Sequence, residues 1–146
     1  HEQETYSSGQ KLPIFQLKGW KFCPQVCYDL RFPVWSRNGW DKGIARYDAV
    51  FYVASWPAAR VSAWDTLLPG RAIENLSYSI GVNRVGRDGN GIQYSGHSAA
   101  FDFKGEKIVD LGEMDMVQVV SFSAQKLEEY RTKFPAWRDA DEFTIP

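Results

Sequence analysis

An α/β fold with a mixed sheet is what three observations on these 146 residues predict. Asp48 to Ala54 is an apolar run without polar alternation, the pattern of a strand covered on both faces. Trp64, Leu67, Leu68, Ile73 and Leu76 recur at helical spacing between that run and a second apolar run, Ser79 to Val85. Paired strand signals separated by short turns stand toward both ends of the chain, so hairpins flank a strand-helix-strand middle.

Taken in order, Leu12 to Leu17 and Trp20 to Val26 flank Lys18-Gly19, a two-residue turn signal that predicts a hairpin. Pro24 is tolerable there only where the strand donates no ladder bond. Asp29 to Arg37 is expected as a short helix with Pro33 in its first turn. Val61 to Tyr78 is expected as a helix that Pro69-Gly70 kinks or splits. Arg87 to Gly91 is a loop of residues that accept positive φ. Three further strands are expected at Ser98 to Phe103, Lys107 to Asp110 and Met116 to Phe122. Ser123 caps a last helix running to about Lys133, and Phe134-Pro135 opens an irregular tail.

Composition excludes several functions. A formal charge of -1 and an isoelectric point near 6.1 give no basic excess for nucleic acid. No run of about 18 apolar residues suits a membrane span, and the start does not read as a signal peptide, so a soluble cytoplasmic protein is expected. The only histidines are His1 and His97, too few for a zinc site beside the two cysteines. Cys23 and Cys27 would lie roughly 13 Å apart along a strand, too far for a disulfide, so reduced thiols are expected. No metal or cofactor is implied.

Cys27 closes the run Trp20 to Val26 and precedes Tyr28-Asp-Leu-Arg-Phe-Pro33, where the strand must break. A thiol on a sharp turn at the carboxyl end of a strand is placed as a nucleophile, although a buried structural cysteine is the commoner use. A thiol with a pKa near 8.5 needs activation at neutral pH. His97 is one candidate base, which would make a self-contained Cys27-His97 hydrolase. Asp29 and Arg31 fit a structural ion pair, and Glu2 and Glu4 lie in a polar segment that composition alone makes solvated.

Cys27 to Pro33 with Trp35-Ser-Arg-Asn38 resembles the nucleophile motif of the nitrilase superfamily, carbon-nitrogen hydrolases of nonpeptide amides and nitriles. Ser55-Trp-Pro57, Trp64, Arg71 to Asn75, Gly81 to Gly86, Asp88 to Gly91 and Tyr94 to Ser98 are similar to its later blocks, in the same order. Phe134-Pro135 with Asp139 to Phe143 resembles its omega-amidase branch, which hydrolyses amides of 2-oxo acids such as 2-oxoglutaramate. The resemblance implies that residues 1–146 are a single domain, the C-terminal part of an α-β-β-α sandwich, which commonly dimerises.

The resemblance also implies a Glu-Lys-Cys triad in which Cys27 is the nucleophile and forms a thioester with release of ammonia. Glu2, seven residues before Gly9, fits the place of a second family glutamate. The backbone N-H of Tyr28 fits an oxyanion donor. The family's base glutamate and lysine both fall upstream of His1, and none of the eight lysines takes that lysine's position. Losing one oxyanion donor costs about 2.7 to 4 kcal/mol, so the chain by itself is expected to be nearly inert. Trp56, just after a central strand, is expected beside the nucleophile, and Arg60 is expected to pair with a substrate carboxylate. The different-class alternative is an inactive sandwich fragment serving as a binding or assembly module.

Overall fold

The computed structural model describes residues 2–7 and 9–141, and only the backbone of Glu2 and Gln3. After a short helix α1 (Glu2–Thr5), β1 (Phe15–Leu17) and β2 (Trp20–Val26) form the expected hairpin. Leu17 pairs with Trp20 across Lys18 and Gly19, whose φ values of 48° and 83° give the two-residue turn the twist a hairpin requires. Pro24 lies past Phe22, the last residue of β2 opposite β1, so its missing N-H breaks no bond of that pair.

Residues 27–37 depart from the single helix expected. Cys27–Arg31 form a 3₁₀ turn and α2 (Pro33–Ser36) starts afresh with Pro33 in its first turn. Phe32, at φ −116° and ψ 78°, leaves helical geometry between them, as a residue before proline is biased to do. A small hairpin of β3 (Trp40–Asp41) and β4 (Ile44–Ala45) follows, then β5 (Ala49–Ala54).

Helix α3 (Val61–Asn75) runs unbroken through Pro69, contrary to the expected split. It ends three residues earlier than expected, where Leu76 turns left-handed at φ 46°. Burial of Trp64, Leu68 and Ala72, all under 1% exposed, outweighs the one hydrogen bond that proline removes. Then come β6 (Tyr78–Asn83), the hairpin of β7 (Val85–Arg87) and β8 (Gln93–Ser95), β9 (Ala99–Phe101) and β10 (Lys107–Asp110). Helix α4 (Ala124–Lys133) is capped as expected, the Ser123 hydroxyl accepting from Lys126 N-H at 3.2 Å.

Among the described residues the main sheet has the order β1-β2-β5-β6-β9-β10. β2, β5 and β6 are parallel and the flanking pairs antiparallel, which is the mixed sheet expected. In register, Cys23, Val50 and Ser79 point to one face with Tyr52, Gly81 and Phe101, and α3 packs there. At Gly81 a Cβ would stand 2.4 Å from Leu68 Cδ1 and 2.5 Å from Trp64 Cζ2, so only glycine lets helix and strand approach this closely.

The opposite face is covered at one end, where Leu127 of α4 packs with Ala49, Tyr78 and Phe103. Arg131 anchors α4 there, donating to the Leu76 and Tyr47 carbonyls and to Asp48 Oδ1 at 2.8 to 2.9 Å. At the other end the register row Val26–Val53–Val82 remains 62, 45 and 52% exposed. The β5 run is therefore covered fully on one face only, not on both. The strand expected over Met116 to Phe122 is also not formed: the segment carries β-branched residues, but no ladder partner reaches it among the described residues. Val117 and Val119 stand 92 and 83% exposed.

Candidate active site

The carboxyl ends of the parallel strands β2, β5 and β6 lie side by side, the edge where α/β folds form ligand sites. Cys27 is the first residue past β2 and has φ +42°, a left-handed conformation uncommon for any residue but glycine. Such strain typically costs about 1 to 3 kcal/mol and persists only where the surroundings enforce it. Asp29 supplies part of that enforcement: its Oδ2 accepts from Val26 N-H at 2.9 Å and its carbonyl from Phe32 N-H at 3.0 Å. The turn thus ends β2 and holds Cys27 at the carboxyl end of the parallel strands.

Cys27, Tyr28, Arg31, Ser55, Trp56, Pro57, Arg60, Ile92 and Tyr94 line one cavity of about 580 Å³. Cys27, Tyr28, Trp56 and Arg60, four residues singled out in the sequence, therefore share one cavity. The Trp56 ring is 2% exposed, donates from Nε1 to the Arg60 carbonyl at 2.8 Å and packs on Trp64 with centroids 5.5 Å apart. Glu2 is the expected site residue whose side chain lies outside the described residues. His97 is turned to other work: its Nδ1 lies 3.1 Å from Asp65 Oδ1, and its carbonyl accepts from Trp64 Nε1 at 2.7 Å. It is not among the residues lining the Cys27 cavity, so the Cys27-His97 hydrolase finds no geometric support.

Asp29 and Arg31 do not form the ion pair expected. Asp29 caps the turn, while the Arg31 guanidinium lies over the Trp56 ring at 5.0 Å from its centroid. Arg31 thereby joins Arg60 on the cavity wall, and among the described residues no carboxylate or lysine lines that cavity. Two guanidiniums beside a thiol favour a ligand carrying negative charge away from the reacting atom. Groups of three or more His, Cys, Asp or Glu able to hold a metal are absent among the described residues.

The part of the wall that carries Trp56 depends on Asn83, which the sequence reading did not single out. Its Oδ1 accepts from Trp56 N-H at 2.7 Å, and its Nδ2 donates to the carbonyls of Trp56 and Gly96 at 3.1 and 2.7 Å. At 6% exposure it ties the loop after β5 to the loop after β8. The signal was a polar residue ending an apolar strand beside a turn. Asp88 shapes the β7–β8 loop in turn, accepting from the N-H groups of Asn90 and Ile92 and from the Tyr94 hydroxyl. Those bonds, the Ile92 N-H foremost, hold its carboxyl below the usual carboxylate range. The two thiols differ sharply: Cys23 is fully buried and its pKa is pushed up to about 12 by burial, whereas Cys27 is half-buried at the cavity.

Comparison with known proteins agrees with this architecture. The carbon-nitrogen hydrolase family model matches residues 1–132. The omega-amidase YafV of Escherichia coli strain K12 is 48% identical over 145 residues, 99% of this chain and 55% of its own length. The 2-oxoglutaramate amidase of Bacillus subtilis is 32% identical over 133 residues, 91% of this chain and 50% of its own. The crystal structure of XC1258 from Xanthomonas campestris, a CN-hydrolase superfamily protein with an arsenic adduct in its active site, superposes with a TM-score of 0.94. It is 45% identical and covers 99% of this chain, which covers 56% of it. This chain belongs to the carbon-nitrogen hydrolase family, the nitrilase superfamily resemblance seen in its sequence. It spans about half the length of the curated relatives it matches.

Proposed function

We propose that the whole protein hydrolyses a small amide, the omega-amide of a 2-oxo acid such as 2-oxoglutaramate, to carboxylate and ammonia. The observation that carries this reading is Cys27, held left-handed at the strand edge inside a cavity with two arginines and no carboxylate among the described residues. The omega-amidase and 2-oxoglutaramate amidase relatives support the substrate class.

In this mechanism the Cys27 thiolate attacks the amide carbonyl, and the negative charge moves to the carbonyl oxygen. The Tyr28 N-H, in the first turn after the strand and therefore without an intrahelical acceptor, stabilises that oxyanion. The C–N bond then breaks, ammonia leaves with a proton from a general acid, and water hydrolyses the Cys27 thioester. Arg60, with Arg31 beside it, pairs with the substrate carboxylate, and the Trp56 ring forms the wall against which the acyl chain lies. Glu2 is assigned the supporting carboxylate on the family resemblance alone.

Among the described residues no general base and no second oxyanion donor line the cavity, and the family resemblance assigns both to a segment upstream of His1. The exposed row Val26–Val53–Val82, immediately beside Cys27, is the surface on which a second sheet would complete the sandwich. A purely structural assembly module is the less favoured reading, because it leaves the strained thiol and its cavity without a purpose. Tyr28, Phe32 and Trp35, 64, 50 and 44% exposed, support a homodimer contact near the Cys27–Arg31 turn. Cytoplasmic placement suits the two thiols, and no described helix is long and apolar enough to cross a membrane.

Ammonia release from 2-oxoglutaramate tests the proposal in three proteins: the natural full-length gene product, its Cys27→Ala variant and the 146-residue chain. Activity in the first alone is expected. Activity surviving in Cys27→Ala, or absent from the full-length protein, would sink it.

A further inference from the structure

We propose that Arg71 is a positioning residue for Cys27, acting through the turn that carries the thiol. The inference rests on the reading of Cys27 as nucleophile and adds what fixes its direction. A left-handed cysteine relaxes unless both ends of its turn are held. Asp29 holds the first end through Val26 N-H. At the other end the Leu30 carbonyl accepts from two arms of one guanidinium, Arg71 Nε at 3.2 Å and Nη2 at 2.6 Å.

Arg71 reaches that carbonyl from α3, 41 residues along the chain, and is only 4% exposed. Its third arm, Nη1, donates to Glu74 Oε1 at 3.0 Å, and its own carbonyl accepts from Asn75 Nδ2 at 2.9 Å. Glu74 thereby balances a buried charge that would otherwise be costly. A planar fork with every arm engaged fixes the orientation of the group it grips, as a lysine ammonium cannot. Leu30 is itself fully buried, so the turn is pinned to α3 by packing and by charge-assisted hydrogen bonds together. Cys27 opens this same five-residue turn, and any rotation at Leu30 is transmitted to the thiol. Misplacing a reacting group by about 1 Å can cost roughly 100-fold in rate.

The test uses the full-length protein with Arg71→Gln, Arg71→Lys and Glu74→Gln, reading kcat and KM for ammonia release together with thermal melting. Arg71→Gln is expected to lower kcat by about 10- to 100-fold with KM changed less than kcat, because the thiol sits on the loosened turn while Arg60, outside that turn, still pairs with the substrate carboxylate. Arg71→Lys should recover part of kcat through its single ammonium donor. Glu74→Gln, on a half-buried side chain, should stay folded and show a smaller fall in kcat at the same KM. A kcat within about twofold of wild type in Arg71→Gln, or losses that follow only the fraction unfolded, would overturn the proposal. If Arg71→Gln does not fold, Glu74→Gln decides: an unchanged kcat there also overturns it. Cys27→Ala separates the two levels. Activity surviving in that variant defeats the nucleophile reading, whereas an inactive Cys27→Ala beside a normal Arg71→Gln defeats only the role of Arg71.

Discussion

Removing the Asn83 side chain should loosen the cavity wall and destabilise the protein by an amount the hydrogen bonds set. Asn83→Ala leaves the N-H and carbonyl of Trp56 and the carbonyl of Gly96 without their partners at 2.7, 3.1 and 2.7 Å. Each buried backbone group left unpaired costs about 1 to 3 kcal/mol, and partial re-entry of water brings the sum to about 3 to 5 kcal/mol. In a protein of this family's size that corresponds to a fall in Tm of about 10 °C. Asn83→Asp sharpens the test, because it keeps the Oδ1 acceptor but aims a second oxygen at two carbonyls. The introduced carboxyl then favours its protonated form when folded, so its pKa is raised above the unfolded value of about 3.9. Stability is fully present below that unfolded value and is lost as pH rises through the folded pKa. Urea titrations at pH 5 and pH 8 should therefore show Asn83→Asp losing ground to Asn83→Ala at the higher pH. A loss below about 1 kcal/mol for Asn83→Ala, or no pH dependence in the difference between the two variants, would refute this account of the wall.

Three other outcomes follow from the geometry. Iodoacetamide at pH 8 should alkylate Cys27 and leave Cys23 unmodified, since burial holds Cys23 at a pKa of about 12. Equal labelling of both thiols in a peptide mass map would contradict the contrast. Gly81→Ala should cost about 1 to 3 kcal/mol in urea unfolding, because its Cβ meets Leu68 Cδ1 at 2.4 Å. An unaltered midpoint would show that α3 and β6 are not packed as closely as described. Asp88, whose carboxyl is depressed below its ordinary value of 3.8, stabilises the β7–β8 loop above that value and loses its effect as pH falls through the folded pKa. Melting curves of wild type and Asp88→Ala should converge as the pH is lowered toward 2, and a gap that stays constant with pH would argue against the Asp88 bonds.

Elements with strong local signals were legible in the sequence. Lys18-Gly19 supplies the positive φ values of its hairpin turn, Ser123 caps α4, and the apolar runs at β5 and β6 became neighbouring parallel strands. Elements decided by distant partners were not. Pro69 reads as a helix breaker, yet the packing of Trp64 and Leu68 under Gly81 carries α3 through it. Met116 to Phe122 has strand composition, but a strand exists only where another strand accepts its bonds. The site divides the same way. The place of Cys27 on a turn at the strand's end was legible because a thiol between an apolar run and a breaking motif is a local pattern. Asn83 and Arg71 were not assigned roles because their partners are backbone groups 27 and 41 residues away, which no local spacing encodes.

The central claim is that Cys27 carries the acyl group. Acid-quenching the full-length protein during turnover of 2-oxoglutaramate and mapping its peptides by mass tests this directly. The account predicts an acyl adduct on the peptide containing Cys27, absent without substrate and absent from Cys27→Ala, with ammonia release lost in that variant. Continued ammonia release by Cys27→Ala would contradict it.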